Sequence, residues 1–95
     1  MSTEITDNAG QDRYEIRLDG ELAGFVEYEK GEGSVALVHT EVGSAFEGKG
    51  VGGALARGVL DDVRARGLSV APAPICPFIK RWIEKHPDYQ DLVAA

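Results

Sequence analysis

The chain has 95 residues, one cysteine and a net charge of −6 at pH 7. That length supports one small domain with a single core, the acidic balance argues against a nucleic-acid partner, and no run nears the ~18 apolar residues of a membrane span. Cys76 stands alone, which excludes an internal disulfide and fits a reducing, cytoplasmic setting.

The opening "MSTEITDNAGQD" has no apolar core and is no secretory signal. Residues 1–11 read as a flexible N-terminus and 12–95 as the domain. In "DRYEIRL" Tyr14, Ile16 and Leu18 alternate with Arg13, Glu15 and Arg17, the pattern of a half-buried strand. Asp19-Gly20 is a preferred two-residue hairpin turn, and "ELAGFVEYEK" follows as its partner, with Gly24 marking a bulge. "GEG" turns the chain at 31–33. "SVALVHTEV", 34–42, is apolar at first with little alternation, which predicts a central strand covered on both faces.

Beyond Gly50 the period changes. Val51, Leu55, Val59 and Val63 recur every four residues, Asp62 and Arg66 form an acid-to-base i,i+4 pair, and Gly67 can close the helix. "LSVAPAPI" predicts a fourth strand, in which Pro72 and Pro74 remove two donors along one edge and oblige it to splay from its neighbour. "PFIKRWIEKH" predicts a second helix, begun by Pro77 and stopped by Pro87, with Phe78, Ile79, Trp82 and Ile83 as core. The fold class is therefore α/β (α+β): a mostly antiparallel sheet of about four strands, a helix entered through glycines and a short C-terminal helix.

Charge is uneven along the chain. Residues 1–46 hold ten acids against three bases, whereas residues 47–85 hold seven bases against four acids. The basic part begins at "EGKGVGG", where Gly48, Gly50, Gly52 and Gly53 crowd the entrance of the first helix. Glycines there let an anion approach the backbone, and a helix N-terminus offers unpaired N–H donors. Gly48, Gly50 and Gly53 fit G-x-G-x-x-G, but "LSVAPAPI" lacks the acidic residue that would hold a ribose. Gly43 to Lys49 fit all of a P-loop except its Ser or Thr, since Gly50 follows.

Glu47-Gly48-Lys49-Gly50-Val51-Gly52 instead resembles the Q/R-x-x-G-x-G/A loop of the GNAT-type N-acetyltransferase superfamily. With His39-Thr40-Glu41-Val42 before the loop and Cys76-Pro77-Phe78 opening the last helix, residues 12 to 90 look like its small single-domain branch. The resemblance implies a GNAT-like domain that uses acetyl-CoA or coenzyme A as cofactor and acyl donor. Gly48, Lys49, Gly50, Val51, Gly52 and Gly53 would bind the pyrophosphate, and Thr40 and Val42 would lie along the pantetheine in a wedge between strands. Two departures stand out. Glu47 replaces Gln or Arg, and only strands are predicted between Asp12 and Val42, where full-size members insert two helices that shape the acceptor cleft.

Three residues carry candidate chemistry. Cys76, at the N-cap of the last helix with Lys80 and Arg81 one turn on, sits where a thiolate is favoured and is a candidate nucleophile or pocket lining. The alternative is a small buried residue filling a gap. His39 and Glu41, two apart on one strand, share a face. His39 has the intrinsic pKa to deprotonate an amine or Cys76, and Glu41 could orient the imidazole or hold an ammonium; a merely hydrogen-bonded strand histidine is the alternative. Tyr89 matches a tyrosine that full-size members use as an acid, but lies past Pro87. No Cys/His cluster has metal-ligand spacing, so no metal is expected.

The function expected is acetyl-CoA-dependent N-acetyl transfer to an unidentified amine, on a protein, a polyamine or another acceptor. A non-catalytic coenzyme A or acyl-CoA binding module is the alternative, and an interaction domain that binds no cofactor the third possibility.

Overall fold

The computed structural model describes residues 2–94; Met1 and Ala95, the ends of the two expected segments, lie outside them. Five strands form one sheet in the order of the chain: β1 (Thr3–Asn8), β2 (Arg13–Leu18), β3 (Glu21–Lys30), β4 (Ser34–Val42) and β5 (Ser69–Val70). The first four are antiparallel neighbours. β5 pairs with β4 in parallel after the crossover helix α1 (Val51–Ala65). The second helix, α2 (Pro77–Glu84), leads into a 3₁₀ turn (Pro87–Leu92), and Val93 then bridges to Val70 on the far side of β5.

β1 corrects the expectation of a flexible residue 1–11 lead. Its six residues pair in register from Thr3–Leu18 to Asn8–Arg13. Ile5 supplies its one large apolar side chain, and a Cβ on Gly58 of α1 would stand only 2.5 Å from Ile5 Cγ1. At its other end Asp7 accepts bonds from the Tyr28 hydroxyl (2.5 Å) and from Arg66 (3.0 Å). The strand is held by a notch and two long-range bonds that no local pattern displays.

The core lies between the sheet and α1. Leu55, Val59 and Val63, with Ala56 and Leu60, are fully buried against Ile16, Val26 and Leu37, each large aliphatic group contributing about 1.5–3 kcal/mol. Asp19 and Gly20 both take positive φ, 50° and 88°, as a primed hairpin turn requires. Two bulges bend the sheet. One shifts register between Ile16 and Arg17 and leaves Ala23, beside Gly24, as the extra residue; the other leaves Val38 extra on β4.

β4 is covered on both faces only in its first part. Val35, Ala36 and Leu37 are all buried, but beyond the Val38 bulge His39 and Glu41 are exposed. β5 is also much shorter than expected. Ala71 N–H still donates to Val35 O (2.9 Å), and Cys76 N–H to Leu37 O (2.8 Å), but residues 72–75 with both prolines loop away from the sheet. Past Leu37 the edge of β4 has no neighbouring strand, and α2 departs beside it.

Candidate functional site

The glycine turn follows directly from β4. A single 3₁₀ turn (Ser44–Phe46) ends the strand, and Gly48 and Gly50 then adopt φ of 79° and 75°, left-handed values that side chains rarely tolerate. The helix enters with Val51 buried as a plug, and the first helical bond is Ala54 N–H to Gly50 O at 3.1 Å. The N–H groups of Val51, Gly52 and Gly53 therefore have no carbonyl of α1 to donate to. They point out of the positive end of the helix dipole, with Lys49 and Glu47 exposed beside them.

Orientation along β4 follows from two bonds. Gly43 N–H donates to Ala23 O on β3, whereas Leu37 O accepts from Cys76 on the opposite side. Main-chain groups alternate along a strand, and the Val38 bulge shifts their phase by one residue. Thr40 and Val42 consequently direct their backbone N–H and C=O away from β3, into the slot vacated by the departing residues 72–75. Their side chains, half-buried, face the helices.

Across the slot, Cys76 is the N-cap of α2 and is buried. Its Sγ lies 3.1 Å from Thr40 Oγ1. Nearer the glycine turn, a Cβ on Gly52 would stand 3.0 Å from Phe78 Cζ and 3.8 Å from Val42 Cγ2. Cys76, Thr40, Val42, Gly52 and Phe78 thus form a continuous lining from a buried thiol to a cluster of free backbone donors. Of the expected site residues, this brings together Thr40, Val42, Gly52 and Cys76, with Gly48, Lys49, Gly50, Val51 and Gly53 at the mouth.

His39 and Glu41 share a face as expected, with Nε2 3.0 Å from Oε1, but it is the face opposite the helices. The ring of His39 is 6.2 Å from that of Phe25, over which Arg13 lies at 4.5 Å. The structure therefore pairs Cys76 with Thr40 rather than with His39. Cys76 thus lies on the helix side of β4 and the His39–Glu41 pair on the opposite, exposed side.

Tyr89 has another role. Its hydroxyl donates to Asp61 (2.7 Å) and accepts from Arg57 (3.1 Å), and the bond to Asp61, with burial, raises its pKa. Of the residues of α2 expected in the core, Ile79 and Ile83 are buried and Trp82 packs half-buried against them, whereas Phe78 is exposed; Phe78 and Trp82 also line an external groove with Arg81 and Lys85. Lys80 faces a separate groove with Pro72 and Ile75.

A profile described as GCN5-related N-acetyl-transferase matches residues 13–92. The chain belongs to this family. A GCN5-like protein of Staphylococcus aureus, solved by NMR as a candidate N-acetyltransferase, superposes with TM-score 0.68 at 26% identity, over 97% of this chain and 88% of its own. A ribosomal-protein-alanine N-acetyltransferase from Brucella melitensis biovar Abortus 2308 gives 0.51 at 25% identity, over 87% of this chain, which spans 61% of that enzyme. No curated protein matches the sequence. As a GCN5-related N-acetyltransferase the chain departs from the full-size plan where its sequence does: among the described residues, β2, β3 and β4 follow one another with no helix between them.

Proposed function

We propose that the protein is an acetyl-CoA-dependent N-acetyltransferase acting on an amine acceptor. The observation that carries this reading is the continuous lining from the glycine turn, along the free edge of β4, to Cys76. Bound acetyl-CoA would supply an activated thioester there. The N–H groups of Val51, Gly52 and Gly53, with Lys49, hold its pyrophosphate; Thr40 and Val42 offer the backbone groups of a missing strand to the pantetheine amides. The glycines leave the space such a ligand needs, so the residues present fit the group.

Cys76 lies at the buried end, where a thioester would arrive. In a two-step course Cys76 Sγ, hydrogen-bonded to Thr40 Oγ1, would exchange its proton for the acetyl group, the proton going to the leaving donor sulfur, and would return to a thiol when the acceptor amine takes the acetyl group and releases a proton. In a direct transfer Cys76 instead lines the acetyl pocket. In either course an ammonium must lose a proton before it attacks, and the His39–Glu41 pair stands on the side of the slot open to solvent. The reading places the protein in a reducing, cytoplasmic setting where Cys76 stays a thiol.

The alternative, a non-catalytic acyl-CoA binding module, is favoured by the uninterrupted β2–β3–β4 meander, which offers no closed acceptor cleft. Calorimetric titration with coenzyme A and acetyl-CoA, then intact mass after acetyl-CoA incubation, decides among them. Binding with a one-acetyl gain that disappears in Cys76→Ala supports the two-step course. Binding with turnover of amines but no adduct supports direct transfer. Binding with neither leaves the passive module, and no binding overturns the donor site altogether.

A further inference from the structure

Cys76 and Lys80 share one flank of α2. Lys80 N–H donates to Cys76 O at 3.0 Å, the bond that starts the helix. Residues four apart on a helix have Cβ atoms about 5–6 Å apart. Long side chains of a helix also lean toward its N-terminus and cover the preceding turn, which directs the Lys80 stem back over Cys76. The opposite flank is occupied differently, with Phe78 and Trp82 against Gly52 and Gly53 of α1. Lys80 is exposed, and it borders a groove of about 230 Å³ with Pro72, Ile75, Ile83, Glu84 and Val93. What sets it apart from Lys30, Lys49 and Lys85, the other three lysines, is its place one turn from the thiol.

The same turn carries unused donors. Cys76 makes no side-chain cap and Pro77 has no N–H, and the N–H groups of Phe78 and Ile79 have no carbonyl of α2 to donate to. An acetyl group on Cys76 Sγ would set its carbonyl oxygen beside these donors, which favour the negative charge that develops there when an amine attacks. The usual route for an amine is bare by contrast. Among the described residues no helix between β2 and β4 encloses a diffusing acceptor. An amine tethered one turn away needs no cleft, because it loses no translational freedom on approach.

We propose that Lys80 is an acetyl acceptor built into the chain, and that the acetyl group passes from Cys76 Sγ to Lys80 Nζ within one molecule. The inference rests on the two-step course above. The Lys80 ammonium first loses a proton to solvent, and the free amine then attacks the thioester carbonyl. A C–N bond forms, the C–S bond breaks, a second proton passes from nitrogen to sulfur, and Cys76 returns to a thiol. Lys80 competes with any external amine for the acetyl group, and the amide it forms outlasts the thioester.

The test incubates the protein with acetyl-CoA and maps the acetyl group by peptide mass, with and without neutral hydroxylamine, which cleaves thioesters and spares amides. In the wild-type protein the resistant acetyl group should map to Lys80. It should appear there on the order of tenfold faster than at Lys30, Lys49 or Lys85, with a rate constant independent of protein concentration. Lys80→Arg should retain a hydroxylamine-sensitive acetyl group on Cys76. Cys76→Ala mixed with that variant should keep its own Lys80 unmodified, because the transfer is internal. Acetyl spread evenly over the four lysines, Lys80 acetylated equally in Cys76→Ala, or no acetyl on Lys80 at all would overturn the inference. Calorimetry with coenzyme A on the same preparation keeps these outcomes apart from failure of the donor site: binding leaves that site standing, and no binding overturns both readings.

Discussion

At its N-terminal end α1 presents Val51, Gly52 and Gly53, whose N–H groups no helix carbonyl reaches, beside two glycines at positive φ. At its C-terminal end the polar groups are engaged. Gly67 and Leu68 donate back to Arg64 and Val63, both at 3.0 Å. Asp62 accepts from the Tyr14 hydroxyl at 2.6 Å and from Arg66 at 2.9 Å, and Arg66 reaches on to Asp7 of β1. Burial and the bonded carboxylates raise the pKa of Tyr14 and Tyr28 well above the ordinary tyrosine value, so both stay protonated donors at physiological pH. One end of the helix spends its hydrogen bonds on the fold. The other leaves three donors without a helix carbonyl, and under the proposed function the two ends should respond to substitution in separate ways.

The largest contrast is expected at Gly50. Gly50→Val forces a β-branched residue into the left-handed region and fills the approach to the free donors. Calorimetry should report at least a hundredfold loss of coenzyme A affinity; an unchanged affinity would remove the glycine turn from the site. Gly58→Val, mid-helix, should do the reverse. Its side chain collides with Ile5, costing about 1–3 kcal/mol in chemical denaturation while coenzyme A affinity at saturating folded protein stays within twofold. Tyr14→Phe sharpens the same distinction more gently, because it takes the donor from the Asp62 carboxylate and should cost about 1–2 kcal/mol with no effect on binding.

The smallest effect is expected on the bare face of the sheet. Burial pushes the Glu15 carboxyl up, but bonds from Arg13, Asn8 and Arg17 outweigh it and hold its pKa below the ordinary 4.5. Its contribution to stability is therefore complete above pH 4.5 and is lost as the pH falls through the lower folded value. Glu15→Gln should flatten the acid limb of a stability–pH curve. A limb as steep as wild type would assign the acid sensitivity to other carboxylates.

Legibility followed the range of the interactions. The four-residue period of α1, the Asp19-Gly20 turn and the three meander strands are local patterns and were readable as such. β1 was not, because one isoleucine among polar residues makes no pattern, and the notch that receives it, Gly58, lies 53 positions away. The glycine turn, Thr40 and Cys76 were identifiable through resemblance, but no spacing could show Sγ meeting Thr40 Oγ1 rather than His39. Phe78 misled for a different reason: its helical spacing from Trp82 is that of a core stripe, but only Trp82 packs against the core while Phe78 is left exposed.

The unpaired edge of β4 also bears on how the molecule holds together. Its first four strands are joined by short turns, whereas the junction of β4 with β5 and α2 closes only after the chain has traversed the whole of α1 and carries few main-chain bonds. That junction is the costliest part to close in entropy and the least secured once closed. A molecule lying along Thr40 and Val42 would serve there as a removable strand, and its occupancy would enter the folding equilibrium directly. At a hundred times its dissociation constant it would add about 2.7 kcal/mol, so the melting temperature of the domain would register how much cofactor surrounds it.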